Sequence, residues 1–303
     1  MHAIGIDIGG TRIKAVVIDE EGHLLQHSYH PTTDNAEMTW RQTVLTIVKE
    51  ILHTYKAEEI VVGISAPGLP DEHNSTIAFM PGRMQGLEYF NWQHSLQVPV
   101  TVLNDAVAAL VAEARFGAAR NKRHAVLVTL GTGVGGALLI DGKPYQGAFN
   151  KAGHIGHMVI DEKGDCDVTG MPGSLEECIG ECTIEKRTGG KFSSTRELVE
   201  AMHNGDEYAK NTWLKSVRQL AIGLSSITNI LSPETIILGG GITEAGAGLF
   251  DPLNEYMARY EWRAGGRKTE IVKAQYGDLA GAVGAASFAV KRDINKSNIP
   301  ELI

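Results

Sequence analysis

A chain of 303 residues, 43% hydrophobic and with a mean hydropathy of −0.09, has a globular composition and exceeds what one hydrophobic core usually spans, so two domains are expected. The formal net charge of −8 argues against a general affinity for nucleic acid, which needs a basic surface, but leaves an anionic nucleotide open, because backbone donors and a metal ion hold phosphates locally. No segment is apolar for long enough to cross a bilayer, no charged-then-apolar leader opens the chain, and three cysteines (Cys166, Cys178, Cys182) are odd in number and too few for a disulfide framework; a cytoplasmic protein with no membrane partner is expected.

The chain opens on IGIDIGGTRIKAVVID. Ile4, Ile6 and Ile8 alternate along a strand, Asp7 and Gly9–Gly10 follow, then Thr11, then a second apolar run from Ile13 to Ile18. This reads as a hairpin with glycine at its tip, where main-chain N–H groups can approach a phosphate because no Cβ intervenes. Asp7 adds a carboxylate suited to a water of bound magnesium. Strand signals follow near 23–30, 60–65 and 99–103, with a helix over 36–55 on the spacing of Trp40, Val44, Ile47, Val48, Ile51 and Leu52. A second helix begins after Asn104 and ends at Gly117, a C-cap candidate. The polar, basic run 117–124 reads as a solvated loop and marks the domain boundary.

Residues 125–140, AVLVTLGTGVGGALLI, repeat the strand–glycine–strand pattern with Thr129 and Thr132 at the turn. A stretch at 161–182 is irregular and glycine-bearing. A long amphipathic helix is predicted over 207–231, stopped by Ser232–Pro233, then a strand at 235–239 running into the glycine cluster of IILGGGI. A helix near 244–260, a strand at 269–273 and a last helix over 278–292, rich in small residues, complete an alternating α/β pattern.

DIGGT, LNDA (103–106), LGTGVGG (130–136), HIGHM (154–158), GSLE (173–176) and LGGGI (238–242) occur in one order, and the likeness runs on to YGDLAGAVGAA (276–286). In this the chain resembles the ROK family of sugar kinases and related repressors, within the actin-like ATPase superfamily. The resemblance implies a two-domain α/β fold of the actin-like ATPase (ribonuclease H-like) type with a ligand cleft between domains. The domains would be residues 1–117 and 118–286, with a C-terminal helix over 287–303 returning to the first. It also implies a homodimer, and an ATP- and Mg²⁺-dependent transfer of a γ-phosphoryl group to a hexose hydroxyl.

Carried over motif by motif, the resemblance assigns Asp7, Gly9, Gly10, Thr11 and Arg12 to the first phosphate turn. Gly131, Thr132 and Gly133 match the second, and Gly239, Gly240 and Gly241 line the adenosine. Asp105 matches the catalytic aspartate, although by residue type alone it reads as a helix N-cap; as the base it would take the acceptor hydroxyl proton. Gly68, Asn104, Asp105, His154, His157 and Glu176 are implied on the sugar side. Arg12 is either a phosphate cation or a solvated hairpin charge, and Arg83 either a cation at the pocket mouth or a surface arginine.

The sugar side departs from the family pattern. Glucose kinases of the family read ExGH where this chain has His154-Ile155-Gly156-His157, and members acting on N-acetylmannosamine look similar here. The usual asparagine of a PNL segment is absent from FMPGRMQGLEYFNW. The family's zinc loop, CxCGxxGC, is matched by Asp167, Thr169 and Ser174, none of them a thiolate, so no structural zinc is expected. Hydrogen bonds, Gly170 and Pro172 would then hold the loop before Glu176, leaving His157 to the sugar. A displaced site from His157, Cys166, Cys178 and Cys182 is the alternative. Among functions, a non-catalytic sugar sensor competes with the kinase. The chain begins at the hairpin, with no DNA-binding unit ahead of it, and keeps Asp105, which argues for the enzyme. Another actin-like ATPase with a protein partner is disfavoured by HIGHM and GSLE.

Overall fold

The computed structural model describes residues 1–55, 59–80 and 82–297, with the side chains of 291–297 left aside. The chain forms two compact units. The first comprises Met1–Asn121, Gln146–Ala152 and the chain from Gln275 onward; the second comprises Lys122–Tyr145 and Gly153–Ala274.

In the first unit, β1 (His2–Ile8), β2 (Arg12–Ile18) and β3 (Leu24–Pro31) form an antiparallel meander. Helix α1 (Thr39–Thr54) follows, then β4 (Ile60–Ala66), the short pair β5 (Leu69–Pro70) and β6 (Ile77–Phe79), helix α2 (Trp92–Leu96), β7 (Val100–Asn104) and helix α3 (Asp105–Phe116). The main sheet runs β3-β2-β1-β4-β7, with β1, β4 and β7 parallel. α1 begins at Thr39 rather than 36, because Met38 is left-handed and Asn35 Oδ1 accepts the Thr39 N–H at 3.0 Å. Its buried face is the predicted one, Trp40, Val44, Ile47, Val48 and Ile51, and it packs with Ile4, Ile6, Ile8 and Ile64.

The second unit repeats the plan. β8 (Ala125–Leu130), β9 (Val134–Ile140) and β10 (Lys143–Tyr145) are antiparallel, and the sheet order is β10-β9-β8-β11-β12 with β11 (Thr235–Gly239) and β12 (Glu270–Lys273) parallel to β8. Between β10 and β11 lie α4 (Leu175–Ile179), α5 (Ile184–Arg187), α6 (Thr195–His203) and α7 (Glu207–Leu231); α8 (Ala247–Tyr260) follows β11. α7 has the predicted bounds and buries Trp213, Val217, Leu220, Leu224 and Ile227. α4 lies inside the stretch expected to be irregular; its five residues are too few to show a helical period.

Helix α9 (Ala280–Ser297) belongs to the first unit and packs on α3, β1 and β4. The division expected at 286/287 falls inside this helix. Close approach needs bare backbone: a Cβ on Gly5 or Gly63 would run into the carbonyls of Ala282 or Ala285, and one on Gly284 into that of Ala108. The return is fixed by the buried Glu113 of α3, whose Oε1 accepts the N–H groups of Gln275 (2.8 Å) and Tyr276 (2.9 Å) while Oε2 accepts that of Ala118 (2.8 Å). Residues 298–303 of the expected C-terminal helix lie outside the described residues. Among those described, no helix is long and apolar enough to cross a membrane.

Candidate active site

Asp7 is buried near the end of β1. Its Oδ1 accepts from Ser65 Oγ (2.6 Å) and its Oδ2 from Lys14 Nζ (3.1 Å). Gly281, at the start of α9, leaves the room that this carboxylate fills, and the helix N-terminus favours negative charge there. Lys14 and Ser65 were not singled out in the sequence, yet Lys14 stands directly opposite Asp7 in the hairpin register, a signal the pairing itself contains. The turn beyond Asp7 is fixed by Gly9 N–H to the Arg12 carbonyl (3.1 Å), Thr32 Oγ1 to the Gly9 carbonyl (2.7 Å) and Thr32 N–H to the Thr11 carbonyl (3.0 Å). Among the described residues no protein acceptor takes the N–H groups of Gly10 or Thr11, which are exposed. Arg12 is exposed, with its guanidinium 5.8 Å from the Tyr29 ring centroid.

Asp105 is the first residue of α3, but Asn104 is the N-cap: its Oδ1 accepts from Ala106 N–H (3.0 Å) and Val107 N–H (3.4 Å), and its Nδ2 donates to the Gly68 carbonyl (3.1 Å). The two expected sugar-side residues Asn104 and Gly68 are thus bonded to each other, with one amide N–H of Asn104 left for a ligand. Asp105 Oδ1 shares the Ala106 N–H with this cap, at 2.8 Å. The Asp105 side chain reaches solvent, yet the protein around it strips enough water to raise its carboxyl to about 6. The Asp7 carboxylate adds to this, against Ala106 N–H and the positive charge of Arg83. A carboxylate near that value is tuned for proton transfer close to neutral pH.

In the second unit the β8–β9 turn is built alike. Gly131 N–H donates to the Gly133 carbonyl (3.0 Å), while the carbonyls of Gly131 and Thr132 are held by Glu181 N–H (3.0 Å) and Cys182 N–H (2.8 Å). Among the described residues the N–H groups of Thr132 and Gly133 have no protein acceptor. Glu176, expected on the sugar, sits beneath this turn: its Oε2 accepts the Val134 N–H at 2.9 Å and fills the space a Cβ on Gly133 would need. Arg187, which no local pattern marks, braces the segment that grips the turn, bonding Thr183 Oγ1, Ser216 Oγ and the carbonyls of Ile179 and Gly180. Gly240, at φ 90°, brings the end of β11 against the Leu130 carbonyl, where a side chain has no room; Gly241 beside it faces open space.

His157 lies on a short 3-10 turn, Ile155–His157, that abuts β9 because Gly156 has no side chain to meet the Val134 carbonyl. His154 and His157 stack with ring centroids 6.4 Å apart. Far from standing free, His157 shares its Nδ1 with Asp167 Oδ2 at 2.9 Å. Asp167 Oδ1 accepts Thr169 N–H (2.8 Å), Thr169 Oγ1 (2.7 Å) and Met171 N–H (3.1 Å), and the nearby Ser174 hydroxyl helps to stabilise the same charge. Burial pushes the Asp167 carboxyl up, but these donors outweigh it and hold it well below the usual carboxylate range. The residues at the family's three cysteine positions thus form a hydrogen-bonded cluster around one carboxylate. That donor set does not fit zinc: it lacks thiolates, and its carboxylate is already spent. Nor do His157, Cys166, Cys178 and Cys182 gather; among the described residues only the exposed-side group Asp19, Glu21 and His23 brings three such ligand atoms together.

The sequence profile of the ROK family matches residues 3–292. The chain belongs to the ROK family. It is 30% identical to the glucokinase of Streptomyces coelicolor, over 96% of this chain and 98% of that protein. It is 27% identical to the xylose repressor of Bacillus spizizenii, over 96% of this chain and 77% of that protein. Among solved structures, the ROK hexokinase from Thermus thermophilus matches with a TM-score of 0.86 at 28% identity, over 97% of this chain and 100% of that one. The ROK glucokinase from Streptomyces griseus, in complex with glucose and AMPPNP, matches with a TM-score of 0.77 at 28% identity, over 96% and 100%. This ROK chain therefore has the actin-like ATPase fold, and its repeated sheets are the two halves of that fold.

Proposed function

We propose that this ROK protein is an ATP-dependent kinase that phosphorylates a hydroxyl of a hexose, amino sugar or N-acyl amino sugar. One observation carries the reading: Asp105 heads α3 next to its cap, Asn104, with a carboxyl raised to about 6 by loss of water around it and, after that, by the Asp7 charge. In the reaction the acceptor oxygen forms a bond to the γ-phosphorus while the bond from that phosphorus to the β–γ bridging oxygen breaks. The electron pair leaves on ADP, and the hydroxyl proton passes to an Asp105 oxygen. The N–H groups of Gly10 and Thr11 in one unit, and of Thr132 and Gly133 in the other, are donors of the kind that bind phosphate oxygens. Gly239–Gly241 is read as the adenosine segment.

Asp7 fits a hydrated magnesium ion, since its oxygens, bonded to Ser65 and Lys14, keep lone pairs for metal-bound water. When bound, that ion neutralises charge on the β- and γ-phosphates. His154, His157 and the free oxygen of Glu176 are the proposed sugar contacts. In the tautomer whose Nδ1–H donates to Asp167 Oδ2, His157 Nε2 is an acceptor for a sugar hydroxyl. A cytoplasmic homodimer accords with the family expectation. The similarity to a xylose repressor supports a second reading, a sugar-binding regulator; the presence of Asp105 at the head of α3 weighs against it. A coupled ADP-release screen across hexoses, hexosamines, N-acyl hexosamines and cyclitols decides. Turnover with one acceptor supports the kinase; sugar binding with no ADP release from any of them refutes it.

A further inference from the structure

We propose that Arg83 is a catalytic residue of this kinase, its guanidinium placed at the Gly9–Gly10 turn to carry positive charge to the phosphoryl group in transfer. The inference deepens the kinase reading and rests on it.

Arg83 lies between β6 and α2, on backbone that is pinned next to it. Met84 is buried with the core of the first unit, and its N–H donates to Asp34 Oδ2 at 2.9 Å. Leu87 is buried as well, and its N–H closes a turn onto the Met84 carbonyl at 3.0 Å. The Arg83 side chain projects from this anchored stretch and is exposed. Its Nη1 comes 3.7 Å from where a Cβ on Gly10 would stand, so the guanidinium reaches the turn whose Gly10 and Thr11 N–H groups have no protein acceptor among the described residues.

The other charged groups of the neighbourhood are already committed. Lys14 is paired with Asp7 at 3.1 Å, and Arg12 rests over Tyr29. The carboxylate of Asp34 holds the Met84 N–H, and that of Glu88 holds the Met80 N–H at 2.6 Å. Among the described residues no hydrogen bond or ion pair claims Arg83, and its positive charge acts on the Asp105 carboxyl. A phosphoryl group entering beside Asp7 and Asp105 meets two carboxylates, a repulsion that needs a cation nearby. A planar guanidinium with several fixed donors suits phosphoryl oxygens, and its charge is worth most when charge spreads over them in the transition state. A glycine at position 10 keeps the space between donor turn and guanidinium clear.

The test compares the intact chain with Arg83→Ala and Arg83→Lys. AMPPNP and ADP binding are measured by calorimetry, and turnover by ADP release with the acceptor the wild type uses best. The expected wild type binds AMPPNP more tightly than ADP. In Arg83→Ala that preference disappears while ADP affinity stays within about twofold, and kcat falls by about 10²–10³ with acceptor KM little changed. Arg83→Lys recovers part of kcat. In Arg83→Ala the acid limb of the pH profile also moves upward, because Asp105 has lost a neighbouring positive charge, whereas loss of a remote surface arginine leaves it in place. An unchanged nucleotide preference with unchanged kcat overturns the proposal, as does a loss confined to acceptor KM, which places Arg83 on the acceptor. A wild type that binds neither nucleotide overturns the kinase reading itself, and this inference with it.

Discussion

Replacing Asp167 with alanine tests whether one carboxylate has taken over the role of a metal in the second unit. The change strips the acceptor from Thr169 N–H, Thr169 Oγ1, Met171 N–H and His157 Nδ1, all within 3.1 Å of it. A hydrogen bond to a charged acceptor is worth about 1.5–3 kcal/mol, and an orphaned buried donor costs about 1–3 kcal/mol. The Asp167 carboxylate is fully buried, but its donors lie in a part-buried loop that water can partly reach, so about 3 kcal/mol is expected rather than the sum. For a unit of this size that corresponds to a fall of about 6–12 °C in melting temperature. Calorimetry reads the midpoint, and amide exchange across 159–174 reads the loop directly. Sugar KM should rise too, since His157 loses the partner that fixes its ring. A midpoint within about 1 °C of wild type, with exchange in the loop unchanged, refutes the reasoning.

Asp105→Ala should abolish turnover while leaving nucleotide binding largely intact; full activity in that variant removes Asp105 from the mechanism. Its raised carboxyl sets the pH dependence. The base is ionised above about 6 and protonated below, so kcat/KM should fall with a single-proton slope as pH drops through about 6; a flat profile from pH 5 to 8 contradicts this. Glu113→Ala leaves the N–H groups of Ala118, Gln275 and Tyr276 without their acceptor and should cost about 2–4 kcal/mol in urea unfolding, against under 1 kcal/mol if the return of the chain is held by packing alone. Elemental analysis of the purified protein should give well below one zinc per chain, and chelation should leave the melting temperature unmoved; stoichiometric zinc overturns the account of the Asp167 cluster.

Much of the architecture is legible along the chain because its causes are local. Alternating isoleucines with glycine at the tip make a hairpin wherever they occur, and α7 ends where Ser232–Pro233 forbids another turn. The order of the motifs drew attention to Asp7, Asp105 and the glycine turns, which lie at or next to strand ends. Short elements such as α4 and β10 escaped, since five or three residues hold too little of a period.

What the sequence could not settle were the partners of each polar group. Nothing in LNDA says that the Asn104 amide will cap α3 with its oxygen while donating to the carbonyl of the distant Gly68. Nothing near Glu176 in the sequence says that one of its oxygens will be taken by the N–H of Val134, from another element. Asp167, Thr169 and Ser174 announce that thiolates are missing, but only folding shows that His157 closes their cluster. By sequence Arg83 reads more readily as a surface arginine than as a site residue; only the fold brings its guanidinium beside Gly10. Periodicity and backbone sterics act between near neighbours, so the chain alone determined the elements and their order. Hydrogen bonds and charges act between groups many residues apart, so their assignment waited on the tertiary structure.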